Sequence, residues 1–228
     1  MSAGRTLGRI IREAVWWAQD YTYAVIWQAR GALSKTRASD YLTGDLAPVI
    51  VLPGIYESWN FMQPLISALH DAGHPVHVIT ALQRNRRPIA FGASAVVDYI
   101  RRENLSRVVI VAHSKGGLIG KQVMMTEESV SSMVAICTPF SGSRYAEFML
   151  LPSLRAFRAN NTALVALRAN EVANARIVSV FGRFDPHIPE GSELVGAKNI
   201  QIDTGGHFRI MAHPDTIAAV LQAAGDGS

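Results

Sequence analysis

The stretch VVIVAHSKGGLIG, residues 108–120, decides the fold. Val108 to Ala112 form an apolar run rich in β-branched residues, His113-Ser114-Lys115-Gly116-Gly117 breaks it, and helix-permissive residues follow. A buried strand, a sharp turn and a helix therefore share one short span. Strand and helix backbones nearly touch at such a turn, so small residues are needed two places before and two places after its apex. Ala112 and Gly116 meet that need around Ser114. The turn pushes the Ser114 hydroxyl out at the carboxyl end of the strand and leaves the Lys115 backbone N–H, at the start of a helix, free to face developing negative charge.

Working outward, strand and helix patterns alternate from Pro48 onward, the signature of a parallel sheet flanked by helices. Strands are expected at 49–52, 76–80, 108–112, 133–138, 177–181 and, as a short last one, 200–202. Helices are expected at 58–72, near 90–103, from the elbow to about residue 125, and at 215–224. The expected fold class is α/β, with a mostly parallel sheet of about six strands. Between Pro139 and Ala175 lies an insertion with two expected helices, separated near Pro152 and Asn160-Asn161. Insertions at this place sit above the strand ends, where ligands bind. Phe148, Met149, Leu150, Leu151, Leu154 and Phe157 are its candidates for lining an apolar ligand pocket, with an ordinary amphipathic cover of the core as the equal alternative.

Residues 6–33 read as helix, with no Pro and no internal Gly between Ile10 and Arg30. Ile10, Ala14, Trp17, Tyr21 and Val25 recur at helical spacing, and Ile11, Val15 and Ala18 widen that stripe. Arg5, Arg9 and Arg12 crowd one end, and Arg9, Arg12, Glu13 and Asp20 interrupt the stretch too often for a signal peptide or a membrane-spanning helix. Two readings stand: a helix packed on the α/β body, or an interfacial helix holding Trp16, Trp17 and Trp27 at a lipid boundary. The polar, turn-rich residues 34–47 form the connector. The expected organisation is thus an N-terminal helix with connector over 1–47 and a catalytic domain over 48–228, with the helical insertion at 141–175.

A chain of 228 residues with 49% hydrophobic content is long enough for one buried core. The single cysteine, Cys137, excludes an intrachain disulfide framework, fits a reducing compartment, and falls in the apolar run MVAIC, where a buried, inert thiol is expected. The net charge of +4, carried mostly by arginine, favours anionic surfaces such as phospholipid. Nucleic acid ranks low, since the arginines are dispersed and no recognition motif accompanies them. A cytoplasmic protein is expected, with peripheral membrane contact if the interfacial reading of the helix holds.

The elbow resembles the G-x-S-x-G nucleophile elbow of α/β-hydrolases, in the A-x-S-x-G form of small bacterial triacylglycerol lipases and carboxylesterases. Two further motifs carry the resemblance. Pro53-Gly54-Ile55 corresponds to the H-G-x turn of lipases, with Pro53 in place of His, and Thr138-Pro139-Phe140-Ser141-Gly142-Ser143 resembles T-P-H-x-G-S. The resemblance implies an α/β-hydrolase fold, Ser114 as nucleophile, and an oxyanion hole formed by the N–H groups of Ile55 and Lys115. Tyr56, Phe140, Phe148 and Leu151 are the substrate-binding candidates. No cofactor is implied.

A serine hydroxyl needs a base within hydrogen-bond reach, itself oriented by an acid, and the hydrolase chain order is Ser, acid, His. Asp185 follows the strand RIVSVF, and His207 follows NIQID in TGGHFRI, where Gly205 and Gly206 let the chain turn. Glu190, Glu193 and Asp203 are rival acids; Asp185 is preferred because it ends a strong strand. His213 precedes Pro214 at a helix entry and reads as structural, and His187 follows Asp185 too closely to face Ser114. His70, His74 and His77 fall at helical spacing, but Gly73 and Pro75 interrupt it, so a solvated turn is expected rather than a metal site. Arg84, Arg86 and Arg87 read as loop solvation. The implied activity is carboxylic ester hydrolysis. The alternatives are a catalytically silent scaffold that docks to membrane or partner and, within enzymes, a thioesterase, lysophospholipase or amidase.

Overall fold

Strands β1 (Val49–Leu52), β2 (Val76–Val78), β3 (Val108–His113), β4 (Val130–Ile136), β5 (Ile177–Phe184) and β6 (Lys198–Gly205) pair in parallel into one sheet of order β2-β1-β3-β4-β5-β6. The structure, a computed structural model, describes residues 2–226. The expected domain bounds also take in Met1, Gly227 and Ser228, which lie outside the described residues.

The inner strands are apolar on both faces, because helices cover both. Ile50, Leu52, Val108, Ile110 and Ala112 face one core, while Val49, Val51, Val109 and Val111 face the other, the period of two that a strand imposes. Helices α3 (Ile89–Arg102) and α4 (Lys115–Met124) cover the first face. The second is covered by α2 (Gln63–Asp71), α7 (Pro214–Asp226) and part of α1 (Ser2–Leu33). Strand order reverses at β1, which leaves a crevice at the carboxyl ends of β1 and β3, where open α/β sheets bind ligands.

Four expectations need correction. The last strand runs over Lys198–Gly205, well beyond 200–202, since this edge strand alternates exposed polar with buried residues and an apolar run marks only its middle. The second strand stops at Val78, and a 3-10 turn, Thr80–Leu82, follows. The insertion is broken into a 3-10 turn (Arg144–Phe148) and two short helices, α5 (Pro152–Arg155) and α6 (Thr162–Ala169), the last capped by the Asn161 side chain.

The fourth correction concerns α1. Of the stripe Ile10, Ala14, Trp17, Tyr21 and Val25, all but Tyr21, which turns toward His187, face out, with Val25 67% exposed. The inward face is Trp16, Asp20, Tyr23, Ala24 and Trp27, which packs on the loop after β6 and on Phe61. Among the described residues no helix is long and apolar enough to cross a membrane.

Candidate active site

Ser114 lies between β3 and α4 with φ 51° and ψ −119°, a conformation that costs a non-glycine residue about 1–3 kcal/mol. The surroundings impose it. The Ser114 N–H donates to the Ile136 carbonyl at 2.8 Å, and its own carbonyl accepts from Gly117 N–H and from the Thr138 hydroxyl, both at 3.1 Å. A Cβ on Gly116 would overlap the Leu52 carbonyl oxygen, so β1 itself demands the small residue there.

The structure brings Ser114, His207 and Asp185 together from three strand ends. His207 Nε2 is 3.0 Å from Ser114 Oγ, and Nδ1 is 2.7 Å from Asp185 Oδ2. The acid accepts at Nδ1, so Nδ1 carries the proton and Nε2 is left to accept from the serine hydroxyl. Asp185 Oδ1 takes the N–H groups of His187 (2.8 Å) and Ile188 (3.1 Å), which fixes the carboxylate in the loop that the sequence stiffens with Pro186 and Pro189. The two side chains are only 6% and 7% exposed. Burial alone would raise the Asp185 pKa, yet the charge and hydrogen bond of His207 hold it down at about 2. Burial likewise opposes a charged His207, but the charge and hydrogen bond of Asp185, followed by the charges of Glu57 and Asp20, leave its pKa raised. The Cys137 thiol lies beside this pair, its ligand atom within 4.8 Å of theirs, and burial pushes its pKa well up. Asp185 and His207 are already bonded to each other, and Cys137 flanks that pair.

The rivals lie elsewhere. His213 Nδ1 accepts from Asp215 N–H at the start of α7. Glu190 pairs with Arg144 and Asp203 with Arg183, while Glu193 is exposed. His70, His74 and His77 bond separately to Thr43, the Ala47 carbonyl and Tyr99. His187 lines the same cavity as Ser114 but bonds the Tyr21 hydroxyl through Nε2; its ring is 4.8 Å from that of His207, and burial and then His207 lower its pKa to about 4.

The Pro53-Gly54-Ile55 turn is held from two sides. Gly54 N–H donates to Glu57 Oε2 at 2.7 Å, and the Glu57 carboxyl also meets His113 Nδ1 at 2.9 Å. His113 Nε2 then donates to the His207 carbonyl at 2.9 Å, joining the turn to the histidine loop. On the other side Asn85 Nδ2 donates to the Pro53 carbonyl at 2.7 Å. The buried Lys115 amine donates to the carbonyls of Asn85 (2.6 Å) and Arg87 (2.5 Å), and burial lowers its pKa to about 8. Among the described residues the N–H groups of Ile55 and Lys115 have no acceptor. Sequence reasoning missed Glu57 and His113, whose partnership spans 56 positions and carries no local signal.

Above Ser114 opens a cavity of about 510 Å³, lined by Ile55, Tyr56 and Phe61, by Tyr145, Met149, Leu154 and Phe157 of the insertion, and by Tyr21, Ala24 and Gln28 of α1. Tyr56 is in the lining, its hydroxyl 2.8 Å from Ser153 Oγ. Phe140, Phe148 and Leu151 are not. Phe140 turns down into the core, Phe148 is 83% exposed at the end of its 3-10 turn, and Leu151 points to solvent ahead of Pro152.

No protein-family model and no curated protein matches the sequence. Solved structures do match the fold. A lipase of Bacillus licheniformis in mature form aligns at TM-score 0.65 and 14% identity, covering 80% of this chain and 92% of that one. Aspergillus fumigatus lipase B aligns at 0.63 and 19%, covering 80% of this chain but 54% of its own. An α/β-hydrolase fold protein of Burkholderia ambifaria aligns at 0.56 and 16%, covering 79% and 92%. The chain has the α/β-hydrolase fold, with an added helix, α1, at its N-terminal side.

Proposed function

We propose that the protein is a serine hydrolase of carboxylic esters. The hydrogen-bond chain Ser114–His207–Asp185, at 3.0 and 2.7 Å on the floor of a largely apolar cavity, carries this reading. Ser114 Oγ attacks the ester carbonyl carbon while His207 Nε2 takes the hydroxyl proton. The N–H groups of Ile55 and Lys115 receive the oxyanion, and Asp185 stabilises the imidazolium. The tetrahedral intermediate collapses with loss of the alkoxide, which takes the proton from His207. Water, activated by the same imidazole, then releases the acid from the acyl-enzyme.

The apolar lining supports an acyl group as the recognised part, and two of the structural neighbours are named lipases. Exposed Ile10, Ile11, Val15 and Val25 of α1, exposed Phe148 and Leu150 of the insertion, and the arginines of α1 support a peripheral role at an anionic lipid surface beside the cavity. A fluorophosphonate probe tests the nucleophile, and a series of p-nitrophenyl esters tests acyl preference. Ser114→Ala should abolish labelling and lower ester turnover by about four to six orders of magnitude. A wild-type protein that resists the probe would instead be a catalytically silent scaffold.

A further inference from the structure

The N–H and the carbonyl of His207 both bond to groups far away in sequence, and the less expected of these is on α1. Asp20 is fully buried, and its carboxylate accepts three consecutive backbone N–H groups: His207 at 2.8 Å on Oδ2, then Phe208 at 2.7 Å and Arg209 at 2.8 Å on Oδ1. The loop is shaped around this helix. A Cβ on Gly205 would overlap the Trp16 ring, and one on Gly206, which has φ 119°, would overlap Asp20 Oδ1. Gln19 and Tyr21, the neighbours of Asp20, bond to Arg209 and His187 respectively. A buried carboxylate is retained only where it is well hydrogen-bonded, and here all of its recorded partners belong to the histidine loop.

We propose that Asp20 is a positioning residue for His207, so that the docked α1 completes the active site. This rests on the reading of His207 as the general base. The N–H of His207 is tied to Asp20 and its carbonyl to His113, which fixes the peptide units that aim the imidazole at Ser114. The charge of Asp20 also favours the protonated ring. The groups facing His207 are Asp185 and His187 from the loop after β5, the hydrogen-bonded pair Glu57 and His113, Cys137 after β4, and Asp20 with Tyr21 from α1. Of these, burial holds His187 neutral at pH 7 and raises the Tyr21 pKa, so Asp20 adds to the negative side. Asp185, Glu57 and Asp20 all favour the imidazolium.

The test is the rate of fluorophosphonate labelling of Ser114 against pH, in the full chain. In the wild type the rate should rise through an apparent pKa above 6.5, the ordinary histidine value. Asp20→Asn keeps the volume and the acceptor for Phe208 and Arg209, but removes the charge and turns an amide NH₂ toward the His207 N–H. The plateau rate should fall about ten- to a hundredfold, the scale of an ångström-sized misplacement, and the acid limb should move to lower pH. Asp20→Ser, smaller and uncharged, is run beside it with thermal midpoints, so that a folding failure in one leaves the other. Thr22→Ala, at an exposed hydroxyl that bonds the Ala18 carbonyl within α1, should leave rate and limb unchanged. A folded Asp20 variant labelled at the wild-type rate, or labelled slowly with its acid limb unmoved, overturns the inference. Labelling that persists in Ser114→Ala overturns the reading of the nucleophile instead.

Discussion

The Ser114 elbow and the His207 loop face each other across one hydrogen bond, yet they are built on different principles. Ser114 is fixed by its neighbours in sequence and sheet: a strained backbone, a strand on each side, and a glycine against the Leu52 carbonyl. His207 sits past the end of the edge strand, where one flank of the sheet is missing, and is held by side chains borrowed from α1, from β3 and from the loop after β1. An inner strand supplies its own scaffold; an edge strand must import one. The first region should fail all at once, the second by degrees.

That contrast can be broken at either region. The largest effect is expected from Gly116→Ala, where the new methyl meets backbone that belongs to β1 and cannot yield without disturbing the sheet. Overpacking of this kind costs about 1–3 kcal/mol, and both the thermal midpoint and ester turnover should drop together. Gly205→Ala should be milder. Its methyl meets the Trp16 ring on a helix that can shift, so turnover should fall while the sheet's far-ultraviolet signal holds, and Trp16→Ala in the same chain should restore part of the loss. If Gly205→Ala unfolds the protein as Gly116→Ala does, the two regions are not built differently. The smallest effect belongs to Leu150→Ser, at a residue 91% exposed: stability within about 0.5 kcal/mol and unchanged probe labelling, but weaker binding to anionic vesicles. Unchanged vesicle binding would remove the insertion from the lipid contact.

What was legible in the sequence follows the same division. The elbow is written in contiguous residues, and the inner strands are apolar runs, so periodicity finds both. Asp185 and His207 could be read from their places at strand ends. The supports of His207 could not. The inward side of α1 includes an aspartate and amphipathic aromatics, while its outward side is the more purely apolar, so a hydrophobicity criterion selects the wrong face. The partnerships of Asp20 with His207 and of Glu57 with His113 span 187 and 56 positions and show only once the chain is folded. Phe148 and Leu151 were misplaced because the insertion turns too tightly for helical spacing to say which side faces the cavity.

The tie between Asp20 and His207 also orders events in time. During synthesis Asp20 leaves the ribosome 187 residues ahead of the peptide it will hold, a delay on the order of ten to forty seconds at about 5–20 residues per second. Throughout that interval the nascent polypeptide carries Ser114 with no imidazole opposite it, and a helix α1 that can pack Tyr23 on Phe61 while Asp20 still lacks its partners. A chain cut short of residue 207 therefore lacks both the peptide that Asp20 holds and the imidazole that faces Ser114.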